Sequence, residues 1–218
     1  MRSGLSVIGS LTRKHLAILL SKVEEHPTPN VRLEQYTLSS EEVSDLLWII
    51  ETSFSDVSGK VVVDLGCGTG RLTIGSALLG ASLAVGVDVD EVALRVASRC
   101  AKELKVEHRT AWIRGFVPHV NLKADVVIQN PPYGVRRAKA DRPFIEAALE
   151  IAPVVYSLHK YSEKSRKFIR EYVKSLGGEI DKVIPLEITI RPTYGFHIKR
   201  AYKVKVDLYR IVRARWGT

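Results

Sequence analysis

The chain has 218 residues, 26% of them charged, with 45% hydrophobic residues and a formal net charge of +9. That length suits one α/β domain with a sizeable core and falls short of two independent ones. Apolar runs such as Leu46–Ile50 are far too short for a membrane span, the N-terminus has no signal-peptide pattern, and Cys67 and Cys100 are too few for a disulfide framework or a cysteine-based zinc site, so a soluble, cytoplasmic protein is expected.

In chain order, Leu16, Leu19, Leu20 and Val23 recur at helical spacing, which predicts a helix over about 12–25 with Thr12 as its N-cap. His26-Pro-Thr-Pro-Asn30 breaks it and leads into Leu33-Glu-Gln-Tyr36. The reading divides the chain into an N-terminal helical extension, 1–32, and a main domain, 33–218. Ser39 and Glu42 have capping-box spacing and open a helix carrying Val43, Leu46, Leu47 and Ile50. A β-rich run, Lys60–Leu65, is followed by a glycine turn and an apolar helix to about Leu79. Further strands are expected at Leu83–Asp88, Thr110–Arg114, Ala124–Gln129 and Val154–Leu158, and helices at Glu91–Leu104, Pro143–Ile151 and Ser162–Leu176. Such alternation implies a parallel sheet covered on both faces. The last two β-rich runs, Ile180–Ile190 and Ala201–Val212, are separated by too few residues for a crossover helix and should pair antiparallel. The expectation is therefore an α/β, Rossmann-like sheet of seven strands, mostly parallel with a C-terminal antiparallel hairpin. That is the class I pattern of S-adenosylmethionine-dependent methyltransferases.

The turn reads Asp64-Leu-Gly-Cys-Gly-Thr-Gly70 and joins a strand to a helix. Backbone N–H groups at a helix N-terminus attract polar and anionic ligand groups, and Gly66, Gly68 and Gly70 should let a ligand come close, with Thr69 between them. Asp88 ends the second strand, where its carboxylate suits two ribose hydroxyls; the alternative is a cap for the next helix, for which Asp90 is better placed. Asp64 either supports the turn or meets the amino-acid end of a cofactor. Cys67 reads as a small side chain inside the turn, with a reactive thiol as the alternative.

Asn130-Pro131-Pro132-Tyr133 follows a strand. The exocyclic amine of adenine is a weak nucleophile because its lone pair is delocalised into the ring. Two acceptors that draw both N–H hydrogens out of the ring plane favour a pyramidal nitrogen, and the Asn130 side-chain oxygen and Pro131 carbonyl could be those acceptors. The prolines fix φ and remove competing donors, and Tyr133 offers a face for a flipped base. The alternative is a proline turn with a buried tyrosine. His159 and Lys160, expected at a strand end, could face the same edge; a plain strand terminus is the alternative.

Residues 151–218 hold 15 Lys/Arg against 6 Asp/Glu, whereas residues 1–150 hold 18 of each. That excess favours a polyanionic partner. Arg136, Arg137 and Lys139 follow Tyr133, and Tyr194, Phe196, His197, Lys199 and Arg200 interleave rings and charge, as suits phosphates and unstacked bases. A solvated charged loop is the alternative for each. The six histidines show no metal-ligand spacing, and the scarcity of Asn, Gln and Met fits a thermophilic source.

From about residue 14 to 212 the chain resembles the methyltransferase-like protein 5 family of N6-adenine rRNA methyltransferases, in its archaeal form. The resemblance rests on Asp64-Leu-Gly-Cys-Gly68 and Asn130-Pro-Pro-Tyr-Gly134, and on Leu33-Glu-Gln-Tyr36, Leu72-Thr-Ile-Gly75, Gly86-Val-Asp-Val-Asp90, Val155-Tyr-Ser-Leu-His-Lys160 and Phe196-His197. It implies S-adenosylmethionine as cofactor, adenosine in small-subunit rRNA as substrate, Gln35, Gly66, Thr69 and Asp88 at cofactor positions, and Asn130 to Tyr133 as the catalytic loop. It also implies a small zinc-ribbon activator subunit. Two departures stand out: Thr37-Leu38 replaces the usual Pro-Thr, and Gly115-Phe116 replaces an acid-containing pair, leaving Phe116 as an apolar wall for the cofactor adenine.

The same tetrapeptide serves enzymes that methylate a release-factor glutamine, guanine N2 or cytosine N4. A nicotinamide oxidoreductase and a noncatalytic RNA-binding protein are the more distant alternatives. The basic C-terminal third favours RNA, and intact Asp88, Asn130 and Tyr133 favour an enzyme.

Overall fold

Residues 11–29, 37–132, 140–190 and 202–213 are described by the computed structural model. Six helices and seven strands follow in the order α1 (Arg13–Leu20), α2 (Ser40–Phe54), β1 (Val61–Leu65), α3 (Arg71–Leu78), β2 (Leu83–Asp88), α4 (Glu91–Glu103), β3 (Thr110–Arg114), β4 (Val126–Gln129), α5 (Arg142–Ile151), β5 (Val154–Lys160), α6 (Glu163–Ser175), β6 (Gly178–Ile190) and β7 (Tyr202–Arg213). The sheet order is β3-β2-β1-β4-β5-β7-β6, with β1 to β5 parallel and β7 antiparallel to both its neighbours. The predicted seven-stranded α/β architecture is what the chain adopts. The insertion of β7 between β5 and β6 is something run lengths alone do not reveal.

Local chemistry sets the element ends. The Thr12 hydroxyl accepts from His15 N, and Ser39 and Glu42 form the complete capping box expected of α2. Asp90 accepts from Val92 and Ala93 N at the start of α4, and Ser162 from Ser165 N at the start of α6. The first helix stops at Leu20, earlier than its periodicity predicts. Val23 is still buried, because the chain beyond the helix continues into the same core.

Alternation along the strands divides that core into two layers. Val62, Ala84, Val126, Ile128, Tyr156 and Leu208 face helices α1 to α4, joined there by Leu16, Leu20, Leu47 and Ile50. Val63, Leu65, Val85, Val127, Val155 and Tyr209 face α5 and α6, through Ile145, Leu149, Ile169 and Val173. Leu16 and Leu20 are 0% exposed, and burying each stabilises the fold by about 1.5–3 kcal/mol. The β6–β7 ladder outruns β5: the last β5 pair is Lys160↔Val206, while β7 continues to Tyr202 against Ile190. Along this two-stranded arm Thr189, which pairs with Lys203, donates from its backbone N to the second carboxylate oxygen of Glu42 at 2.5 Å.

Candidate functional site

Register brings the sequence motifs together. Leu65 of β1 pairs with Val87 of β2 on one side and Gln129 of β4 on the other. The next residue along each strand, Gly66, Asp88 and Asn130, therefore stands at the carboxyl edge of three neighbouring strands spaced by about 4.8 Å. The glycine turn, the acid and the proline loop form one edge.

The turn is bonded to that edge through its backbone. Gly66 N and Cys67 N both donate to Val87 O, at 2.8 and 3.0 Å. Gly68 N donates to Asp88 Oδ2 at 2.8 Å, and Asp90 N to Asp88 Oδ1 at 2.9 Å. With about four acceptor positions on a carboxylate, Asp88 keeps acceptor capacity beyond these backbone bonds. Burial pushes the Asp88 pKa up, against the pull of the Asp90 and Gly68 N–H groups. Capping of α4 falls to Asp90.

The three glycines differ in what they avoid, which corrects the expectation that each leaves room for a ligand. All three have positive φ, but only Gly68 has open space where a β-carbon would stand. At Gly66 a β-carbon would lie 3.0 Å from the Phe144 ring, and at Gly70 2.4 Å from the Trp112 indole. Trp112 also fills the space over Gly86, so it forms a floor beneath the turn. Thr69 is buried at the top of α3.

Asp64 is 1% exposed. Its Oδ2 accepts from the Thr73 backbone N and hydroxyl, at 3.1 and 2.7 Å, while Oδ1 is buried without a hydrogen-bond partner among the described residues. Burial pushes its carboxyl up to about 7; the Thr73 hydrogen bonds oppose this and the charge of Asp88 adds to it. Cys67 is buried beside both acids, and desolvation followed by their charges holds its thiol well above the ordinary value. Such a thiol is unreactive.

Gly115 N donates to the backbone Asp88 O at 3.0 Å, and the next residue, Phe116, is 57% exposed with its ring 5.8 Å from that of His119. An exposed ring just beyond the end of β3, the neighbour of the strand that carries Asp88, suits a planar base. Open space at Gly68, acceptor capacity at Asp88 and this ring fit an adenosyl cofactor.

Two residues with no sequence signal hold the N-terminal segment against the turn. Arg71, only 9% exposed, donates to Leu38 O at 2.6 Å and to Val23 O at 2.9 Å. His26 Nε2 lies 3.0 Å from Asp90 Oδ2, and Thr28 N donates to its Nδ1 at 3.0 Å. Asn130, Pro131 and Pro132 are described at the end of β4; Tyr133, Gln35, Arg136, Arg137, Lys139, Tyr194, Phe196, His197, Lys199 and Arg200 lie outside the described residues. His159 and Lys160, expected at a strand end, are the last two residues of β5, the first buried and the second exposed.

A mostly parallel seven-stranded sheet with this turn, acid and proline loop on one edge defines an S-adenosylmethionine-dependent methyltransferase. Its relatives are more specific. The chain is 33% identical to the zebrafish rRNA N(6)-adenosine-methyltransferase METTL5, over 90% of this chain and 97% of that one. It is 32% identical to the Drosophila melanogaster Mettl5, over 92% and 96%. An uncharacterized Methanocaldococcus jannaschii protein, MJ0284, is 37% identical over 95% and 97%. The crystal structure of PH1948 from Pyrococcus horikoshii, described as a candidate RNA methyltransferase, has a TM-score of 0.85 at 39% identity, covering 94% of this chain and 100% of that one. The profile of the ribosomal protein L11 methyltransferase (PrmA) family matches residues 26–131. The chain belongs to the METTL5 family of rRNA N6-adenosine methyltransferases. Among the described residues no helix is long and apolar enough to cross a membrane, and none of the His, Cys, Asp and Glu groups could hold a metal.

Proposed function

We propose that this protein methylates N6 of an adenosine in small-subunit rRNA, with Asn130 and Pro131 holding the amine. The observation that carries the reading is the register placing Gly66, Asp88 and Asn130 on adjacent strand ends. S-adenosylmethionine, when bound, supplies an electrophilic sulfonium methyl. On the cofactor side Asp88 would accept from the ribose hydroxyls, Phe116 would cover the adenine, the backbone at Gly68 would allow close approach, and Gly66, Thr69 and Gly70 would shape the turn. Asp64 and Gln35 would serve the amino-acid end.

On the substrate side the Asn130 side-chain oxygen and the Pro131 carbonyl accept the two N6 hydrogens. That leaves the nitrogen lone pair aimed along the edge, so the residues act by orientation rather than by a strong base. Pro132 keeps the edge free of competing donors, and Tyr133 stacks on the flipped base. Arg136, Arg137 and Lys139, and the hairpin-tip residues Tyr194, Phe196, His197, Lys199 and Arg200, would take the phosphates and unstacked bases around the target.

The match to the L11 methyltransferase profile takes in the glycine turn, Asp88, Asn130 and Pro131, so the choice of RNA over protein rests on the METTL5 relatives and on the basic C-terminal third. A small zinc-ribbon activator subunit fits this reading, because β3 is an edge strand with no partner on its outer side among the described residues. A cytoplasmic place of action, where rRNA is found, fits it too. Incubation with labelled S-adenosylmethionine and rRNA or small subunits, followed by nucleoside analysis, should return N6-methyladenosine. Label in protein, or in guanosine or cytidine, would replace this reading with one of its rivals.

A further inference from the structure

Behind the proline loop runs a buried chain of polar side chains that the cofactor and acceptor assignments do not use. Gln129, the last residue of β4, donates from Nε2 to Ser157 Oγ at 3.0 Å. Ser157 Oγ lies 2.7 Å from His159 Nε2, and His159 Nδ1 lies 3.5 Å from Asp141 Oδ2. Gln129, Ser157 and His159 are 1%, 0% and 3% exposed. Gln129 immediately precedes Asn130, and Asp141 is the residue from which α5 departs, so the chain spans the two ends of the segment carrying the motif.

The three contacts form one consistent donor pattern around the His159 imidazole. Its Nδ1–H points to the Asp141 carboxylate and its Nε2 accepts the Ser157 hydroxyl, whose oxygen in turn accepts from Gln129. Burial raises the Asp141 carboxyl, yet the hydrogen bond from His159 leads the effects that together hold its pKa below the ordinary value. The other groups around His159 are also fixed. The Tyr209 ring meets it edge-on at 5.7 Å, Tyr209 OH donates to Asp207 at 3.4 Å, and Arg166 grips Asp207 through two bonds of 2.8 Å. The order serine, histidine, aspartate is that of a hydrolase triad, but a fully buried serine already bonded to Gln129 has no route to a substrate. Stability alone does not call for this chain either, since apolar side chains would fill strand positions 157 and 159 without the desolvation cost of a polar array.

We propose that His159 is a positioning residue for methyl transfer, tying the strand that leads into Asn130 to the return point at Asp141 and so fixing the acceptor edge against the cofactor side. This rests on the roles given to Asn130 and Pro131 above. A displacement of about 1 Å at a reacting centre can cost on the order of 10²-fold in rate, so a tie of this kind would act on turnover and not on cofactor affinity.

The test uses the full chain with rRNA. His159→Ala and Asp141→Ala should each slow single-turnover methylation by about tenfold or more, while the calorimetric affinity for S-adenosylmethionine stays within about twofold. The double variant should be no slower than the slower single one, because both cut the same link. His159→Asn, whose amide nitrogen can take the place of Nδ1, should recover much of the loss. A folded His159→Ala with wild-type turnover, or losses that multiply, would overturn the inference. If His159→Ala does not fold, Asp141→Ala, at a side chain 23% exposed, decides alone. A wild-type chain that modifies no RNA would count against the functional reading instead. The tie is then read from amide exchange at Phe144 and Ile145, which both donate to Asp141 O. Exchange should quicken in His159→Ala or Asp141→Ala, and unchanged protection would overturn the tie.

Discussion

At Asp64 burial and the charge of Asp88 both work against ionisation, and the Thr73 hydrogen bonds oppose them. With its carboxyl pushed up to about 7, the folded chain binds more protons at this site than the unfolded chain between the ordinary carboxylate range and neutrality. Stability from this group is therefore fully present at low pH and is lost as pH rises through about 7. The full effect approaches about 4 kcal/mol. Asp64→Asn keeps an acceptor for Thr73 and removes the titration. Its denaturation midpoint should fall less than that of the wild type between pH 5 and 8, and parallel pH profiles for the two proteins would refute the shift. If Asp64 meets the amino-acid end of the cofactor as proposed, the same group should link cofactor binding to pH, because a cationic amino group there would favour the ionised acid. Calorimetry should then find tighter S-adenosylmethionine binding at pH 8 than at pH 6 in the wild type, with the difference reduced in Asp64→Asn. Legibility at this scale was uneven. Asp88, Asn130 and the glycines announce themselves by motif, whereas Trp112 and Phe144 do not, because the need they meet is a space above a glycine found only once strands are in register. The motif suggests one reason for all three glycines, and packing supplies a different one at two of them.

The elements were legible where a cap marks them. Ser39 with Glu42 and Asp90 each placed a helix start to within a residue, since a cap side chain satisfies backbone N–H groups that have no other partner, and Ser162, read as the first residue of its helix, is the cap of α6. Arg71 shows what such patterns miss. In sequence it is an ordinary first-turn arginine; in the fold it binds two carbonyls, Val23 O and Leu38 O, on either side of the segment containing Gln35. Removing it strands two carbonyls near the cofactor turn. Hydrogen bonds to a charged group contribute about 1.5–3 kcal/mol each, and unmet buried acceptors cost on the same scale. Arg71→Ala should therefore lose about 2–4 kcal/mol in urea denaturation and weaken S-adenosylmethionine binding as well. Arg71→Lys, with one point donor in place of a fork, should recover only part of either. Lost stability with unchanged cofactor affinity would separate the N-terminal segment from the site.

At the scale of the whole molecule, alternation of runs was enough to expect a seven-stranded methyltransferase sheet, and the short gap before the last run was enough to expect an antiparallel ending. What placed the charge was topology. Lys160 closes β5 at the carboxyl edge, and Lys205 lies in the stretch of β7 that joins the projecting arm; both are exposed. Lys174 and Lys182, equally exposed, lie at the far end of α6 and near the start of β6, on the opposite edge. If the net charge of +9 acts only as a diffuse field, any two lysines should count alike. If RNA lies along the carboxyl edge, where Asp88 and Asn130 stand, they should not. Every phosphate left without its cation reduces the slope of log affinity against log salt by roughly 0.7–0.9. Lys160→Ala with Lys205→Ala should therefore flatten the slope for rRNA binding by about 1.4–1.8, while Lys174→Ala with Lys182→Ala leaves it close to wild type. Filter binding across 50–300 mM KCl (roughly the range where such slopes are linear) distinguishes the two cases. Equal flattening in both pairs would mean that the edge carrying the chemistry is not the edge that holds the RNA.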